Sequence, residues 1–158
     1  NQVVVDTRRL LGDRFLRDTV VRFTPAAGLP LVSVPRNFIQ QILLNFIFNA
    51  QEAMGQRGQI ELSTQLVVQL PPTLYLPPVA APRYILIAVR DEGAGIAAEI
   101  RDRIFEPFFT TKNLSSRRGT GLGLSMVYEL AKKMGAGLAV TSEAGRGSIF
   151  TLILPVTS

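Results

Sequence analysis

Four short stretches hold the residues that could do chemistry. Within residues 36–54, Gln41, Asn45 and Asn49 recur at every fourth position, with Glu52 one turn further. Side chains at that spacing share a helix face, so a polar stripe crosses the otherwise apolar run RNFIQQILLNFIFNAQEAM. Amide oxygens are hard ligands suited to Mg²⁺, above all where substrate phosphates bring the negative charge. The same stripe also fits a solvated helix edge, or amides bonded to backbone. Asp91-Glu92-Gly93-Ala94-Gly95-Ile96 follows an apolar strand. A carboxylate there could accept a hydrogen bond from an exocyclic amine while the glycines admit a flat ring; the plainer reading is an Asp-initiated turn. Phe105-Glu106-Pro107-Phe108-Phe109-Thr110-Thr111-Lys112 offers aromatic anchors for a core or a lid. Its lysine is a counter-charge for phosphate or an ordinary surface lysine. Gly119-Thr120-Gly121-Leu122-Gly123-Leu124-Ser125 runs into a helix start. Exposed N–H groups at the positive end of a helix dipole attract anions. This glycine run is not a dinucleotide fingerprint, since no strand precedes it, and it lacks the GK[ST] ending of a P-loop.

The elements that must position these residues are legible in outline. Residues 7–18 are expected to form a short helix, and 19–24 and 31–34 two strands. Pro35 stands where a helix can begin, and 36–54 is the strongest helical stretch, stopped by Gly55 and Gly58. Residues 59–69 and 83–91 alternate as strands. The stretch between them, LPPTLYLPPVAAP, holds five of the ten prolines; it reads as a long hairpin loop, a linker being the alternative. A short helix is expected at 97–104 and a loop at 105–120. Residues 122–134 read as an amphipathic helix with Gly135 as its C-cap. Strands at 137–142 and 148–154 close the chain as a hairpin around EAGRG. The fold class is α+β, a mixed sheet of about five strands under about three helices on one face.

Composition removes several kinds of chemistry. The chain has 158 residues, no cysteine and no histidine. This excludes disulfides, thiolate or imidazole metal sites, a cysteine nucleophile and a Ser-His-Asp triad. Hydrophobic residues make up 47% and charged residues 18%, which suits a single folded domain with a substantial core. No apolar run reaches the ~18 residues of a membrane helix. The net charge is +5. Lys112, Arg117 and Arg118 form the densest basic cluster, which reads as serving an anionic ligand or as a solvated face. Tryptophan is absent and tyrosine scarce, so a base-stacking nucleic-acid platform is poorly supported. The first residue is Asn1, and a fragment of a longer or processed protein is expected.

Taken in order, the four stretches resemble the ATP-binding catalytic domain of sensor histidine kinases, in the superfamily shared with type II topoisomerases, Hsp90 chaperones and MutL repair proteins. NFIFNAQEAM resembles the N box, DEGAGI the G1 box, FEPFFTTK the F box and GTGLGLS the G2 box. EAGRGSIFTLILP resembles the closing hairpin. The likeness covers nearly the whole chain, and the FFTTK wording with a short lid resembles the nitrogen-regulator type.

The resemblance implies a two-layer α/β sandwich of the Bergerat type over residues 1–158, with an ATP lid at 106–120. It assigns Mg²⁺ to Asn49 and Asn45, and the adenine amine to Asp91, with Gly93, Gly95 and Ile96 shaping that pocket. Phe105 and Phe108 would anchor the lid. Lys112 and Arg118 would reach phosphates, and Gly119, Thr120, Gly121, Leu122, Gly123 and Leu124 would line the phosphate cradle. ATP-hydrolysing relatives carry a glutamate base where this chain has Asn45. An amide cannot take a proton from water near neutral pH, so slow hydrolysis is expected, as suits a kinase. Many members also carry a basic residue at the position of Glu52, to which no nucleotide role is transferred. The phosphoacceptor histidine would lie on a separate dimerisation domain, so this chain should not phosphorylate itself at histidine. The implied partners are that domain and a response regulator, with no nucleic acid and no membrane contact. A cytoplasmic, monomeric fragment is expected. The alternatives are an ATP-sensing interaction module without kinase activity and, less supported, a basic nucleic-acid-binding domain.

Overall fold

The longest helix, α3 (Arg36–Ala53), begins after Pro35, whose φ of −64° presets its first turn. It ends in paired C-terminal bonds, Gln56 N–H to Gln51 O (2.9 Å) and Gly55 N–H to Glu52 O (3.2 Å), the pattern by which a helix satisfies its last carbonyls. α3 is the crossover between β1 (Thr19–Thr24) and β2 (Gly58–Val67), which pair in parallel and so require one. The computed structural model describes residues 1–106 and 122–157, apart from the Leu122 side chain.

β3 (Arg83–Asp91), β4 (Gly137–Glu143) and β5 (Gly147–Val156) complete a mixed sheet in the order β1-β2-β3-β5-β4, with every pairing beyond β1–β2 antiparallel. Period-2 alternation sorts its faces. Ile85, Ile87 and Val89 of β3 and Phe150, Leu152 and Leu154 of β5 share one core with Ile42, Leu43, Phe46 and Ile47 of α3. Val127 and Ala131 of α4 (Leu122–Lys133) join them. α4 ends like α3, with Ala136 N–H on Ala131 O (2.9 Å) and Gly135 N–H on Lys132 O (3.2 Å). The opposite sheet face carries a smaller cluster, Tyr84, Ala139 and Ile153, packed with Leu70, Leu74 and Ala81 from the proline-rich segment. The architecture is the expected two-layer α+β sandwich.

Three local expectations are corrected. The first is the helix at 7–18, which is instead two helices, α1 (Gln2–Arg9) and α2 (Asp13–Asp18). Gly12 separates them with extended backbone. α1 forms in spite of three successive valines because Val4, Thr7 and the following Leu11 meet the core at helical spacing. Secondly, residues 31–34 form no strand. Their alternation is real, with Leu31 94% exposed while Val32 and Val34 touch the core, but the segment between Pro30 and Pro35 has no partner strand among the described residues. Thirdly, of 97–104 only Arg101–Arg103 is helical, as one 3₁₀ turn. The expected hairpin loop between β2 and β3 is present, since the two strands pair antiparallel, and it reaches across the sheet, where Leu76 bridges Leu138 on β4.

Candidate functional site

The site is built against one side of α3. Gln41, Asn45, Asn49 and Glu52 lie along it, exposed at Gln41 and half-buried at the other three. The reverse face, from Ile39 to Ala50, is core. Asn45 donates from Nδ2 to Gln41 O at 3.0 Å, which fixes the amide plane and turns Oδ1 away from the helix. A Cβ placed on Gly123, in the first turn of α4, would stand 2.7 Å from that oxygen. Only glycine lets α4 start this close to α3.

Asp91 ends β3 and is 2% exposed. Gly93 N–H donates to Asp91 Oδ1 at 2.8 Å. Burial pushes the Asp91 carboxyl above its ordinary pKa, while backbone hydrogen bonds from Gly93 and Ser148 oppose that shift. The loop after Asp91 is wedged between two other elements. Ala94 N–H reaches Ala53 O at the end of α3 (3.2 Å), and Gly145 N–H reaches Ala94 O from the β4–β5 turn (2.6 Å). A Cβ on Gly93 would meet Ala53 O at 2.6 Å, and one on Gly95 would meet Glu143 O at 2.1 Å. Gly95 also sits at φ +75°, where a side chain is strained. Each expected glycine of this loop is thus required by close packing.

Two serines that sequence reasoning passed over hold the loop in place. Ile96 N–H donates to Ser142 Oγ at 2.7 Å. Ser142 Oγ lies 2.8 Å from Ser148 Oγ and donates to Gly147 O at 3.2 Å. Both serines are buried and face each other in the β4–β5 register. The signal was their equal spacing from the EAGRG turn. Gln51, also buried, donates to Thr19 Oγ1 at 3.0 Å, and Thr19 donates to Gln56 O at 2.9 Å. This relay ties the end of α3 to β1 and leaves the stripe on the other side of the helix.

Asn45 and Asn49 thus lie on α3, Gly123 faces Asn45 and Gly93 meets the end of α3 at Ala53, while Gly95 and Ile96 pack against the β4–β5 hairpin. Leu124 packs on the core. Phe105 is 4% exposed and packs against Tyr75, the rings tilted by 44° with centroids 4.3 Å apart. The readings placed on Phe108, Lys112, Arg118, Gly119, Thr120 and Gly121 lie outside the described residues, as do those on the Leu122 side chain and on most of the 106–120 segment.

Among the described residues no three His, Cys, Asp or Glu side chains gather into a metal cluster. The donor set along α3 is neutral amide oxygen, which fits a divalent cation whose negative ligands arrive with a phosphate substrate. No helix of the described residues is long and apolar enough to cross a membrane.

Comparison with known proteins gives concordant results. The chain is 36% identical over 154 residues to sensor kinase CckA of Brucella abortus (strain 2308), covering 97% of this chain and 16% of that protein. It is 37% identical over 140 residues to sensor histidine kinase ZraS of Escherichia coli (strain K12), covering 89% of this chain and 26% of that one. The chain thus spans only 16% and 26% of these relatives, which are larger sensor kinases. Among solved structures, full-length ShkA in complex with AMPPNP superposes with a TM-score of 0.77 at 26% identity, over 99% of this chain and 30% of that one. The catalytic domain of histidine kinase ThkA, free of nucleotide, gives 0.75 at 26% identity, over 99% and 92%. Residues 35–158 match the family described as histidine kinase-, DNA gyrase B-, and HSP90-like ATPase. That span runs from the start of α3 through the last strand and takes in every residue along the site, so the chain belongs to this ATPase family.

Proposed function

We propose that this chain is the ATP-binding catalytic part of a sensor histidine kinase, which donates the γ-phosphoryl group of ATP to a histidine on a separate dimerisation domain within two-component signalling. One observation carries the reading. A buried carboxylate, Asp91, is held at a strand end where a glycine loop packs against α3, and Asn45 lies eight residues back from Ala53 on the same helix. Eight residues of helix span about 12 Å, comparable with the reach of a nucleotide from base to phosphates. Asp91 would accept the adenine amine, and the Gly93–Ile96 loop would shape the base pocket. Family membership and the sensor-kinase relatives support a role in two-component signalling.

Phosphoryl transfer asks a protein mainly for positioning and charge neutralisation. Asn45 and Asn49 would hold Mg²⁺ through amide oxygens, and the ion when bound would neutralise phosphate charge. Asn45 has no basic lone pair at neutral pH, so it cannot activate water; bound ATP is spared for an acceptor. Lys112, Arg118 and the Gly119–Leu124 stretch would meet the phosphates, with Phe105 and Phe108 anchoring the intervening segment. The chain contains no histidine, so the acceptor must come from elsewhere, as must a response regulator. We read the location as cytoplasmic and the subtype, on its FFTTK wording, as nitrogen-regulator.

The test is to mix the chain with a cognate histidine-bearing dimerisation domain and γ-labelled ATP. Acid-labile, base-stable label should appear on that domain and not on this chain. Absence of label with a cognate domain would leave nucleotide sensing without kinase activity as the better account.

A further inference from the structure

The proline-rich segment between β2 and β3 is bound into the fold at several points. Tyr75 N–H and Leu76 N–H both reach Leu138 O on β4 (2.8 and 3.1 Å), Leu138 N–H returns to Leu76 O (2.9 Å), and Val79 N–H reaches Gly135 O (2.9 Å). The segment therefore adds an extended stretch to the free edge of β4. Two glycines make room for it. A Cβ on Gly137 would stand 2.8 Å from Leu76 O and 2.7 Å from Pro78, and one on Gly135 would meet the Val79 side chain at 2.8 Å.

This anchoring delivers one side chain to a junction. The Tyr75 ring packs against Phe105 with centroids 4.3 Å apart and a 44° tilt, and meets Tyr128 of α4 edge-on, centroids 6.2 Å apart at 90°. Its hydroxyl donates to Asp102 O at 2.9 Å. Burial and the neighbouring Glu106, Tyr128 and Asp102 hold the phenol above its ordinary pKa, so it stays a donor. A cavity of about 1100 Å³ lies among Tyr75, Phe105 and Tyr128 and reaches Gly123, the glycine that faces Asn45. The ring thus touches the 101–105 turn on one side and α4 on the other.

We propose that Tyr75 is a positioning residue for the nucleotide site: it sets the 101–105 turn and α4 in fixed relation, and through α4 it sets Gly123 against Asn45. This inference rests on the ATP-site reading given above. It predicts that removing the ring lets α4 shift and weakens ATP binding in a chain that is still folded.

The test compares wild type, Tyr75→Phe and Tyr75→Ala by urea unfolding without nucleotide and by Mg²⁺-ATP displacement of a fluorescent ATP analogue. Tyr75→Ala should bind roughly three- to tenfold more weakly, the scale of losing aromatic pair contacts. Tyr75→Phe keeps the ring and should recover most of the affinity. A purely structural role would move the urea midpoint and leave the affinity of the folded chain unchanged, which would overturn the inference. If Tyr75→Ala does not fold, Tyr128→Leu, which removes the edge contact from the α4 side, should show the same loss; equal binding by that variant would also overturn it. Wild type that fails to bind ATP overturns the ATP-site reading itself, and this inference with it. Wild type that binds, beside a Tyr75→Ala that binds equally well, overturns this inference alone.

Discussion

The Asn45 side-chain oxygen and Gly123 stand so close that a methyl group on the glycine would lie 2.7 Å from the oxygen. One residue of α3 and one of α4, 78 positions apart in sequence, are therefore matched in size. Gly123→Ala would push the Asn45 amide out of its present plane, because the side-chain oxygen is the atom that the new methyl group meets. We expect Mg²⁺-dependent ATP affinity to fall about tenfold with little change in unfolding temperature. Calorimetric titration with and without Mg²⁺ measures it; unchanged affinity would mean that the approach has no bearing on the site.

Asp91 couples the site to pH. Its folded-state pKa is raised by burial above the ordinary 3.8. Between that value and the raised one, the native chain keeps a proton that the unfolded chain has lost. Stability is therefore greatest below 3.8, falls as pH rises through the folded-state value, and stays lowered above it. Asp91→Asn removes this cost and its amide oxygen can still accept from Gly93 N–H. Without nucleotide the variant should melt above wild type at pH 7, and the difference should vanish as pH falls toward 3.8. A variant markedly less stable than wild type at pH 7 would show that the carboxylate is structural.

Gly95 combines φ +75° with a neighbouring carbonyl where a Cβ would go. Gly95→Ala is expected to destabilise the chain by at least the ~1–3 kcal/mol of such backbone strain, lowering the urea midpoint, and to loosen the contact with the β4–β5 turn. An unchanged midpoint would mean that the loop relaxes freely and is not wedged as described.

Asn45 bears on turnover. With Mg²⁺-ATP alone, phosphate release should be slow and should stay slow after Asn45→Ala, since no base is lost. A large drop that persists at saturating Mg²⁺ and ATP, where lost binding no longer limits the rate, would assign Asn45 a direct part in activating water, against the argument from its amide.

Much of this was legible in the sequence. α3 announced itself by an apolar run carrying a four-residue polar repeat, and β3 and Asp91 by alternation ending in a carboxylate before glycines. What failed was local pattern read without its partners. The helix expected at 7–18 left out Val3, Val4 and Val5, yet they form part of α1, because the core accepts Val4, Thr7 and Leu11 from one side. Residues 31–34 alternate as a strand would, yet among the described residues no strand pairs with them. Ser142 and Ser148 are unremarkable as letters; their meaning comes from cross-strand register, which brings the two hydroxyls together where Ser142 accepts from Ile96 N–H. Tyr75 was hidden for the same reason, since nothing in a proline-rich loop says which distant ring it will meet.

The central claim is that this chain holds Mg²⁺-ATP through Asp91. Its most direct measurement is a thermal-shift titration of wild type and Asp91→Asn with Mg²⁺-ATP and Mg²⁺-ADP. A ligand that binds the native state raises the melting temperature as its concentration grows. The account predicts a rise with either nucleotide in wild type and none in Asp91→Asn. A wild-type melting temperature indifferent to nucleotide, or an Asp91→Asn variant that responds as wild type does, would contradict it.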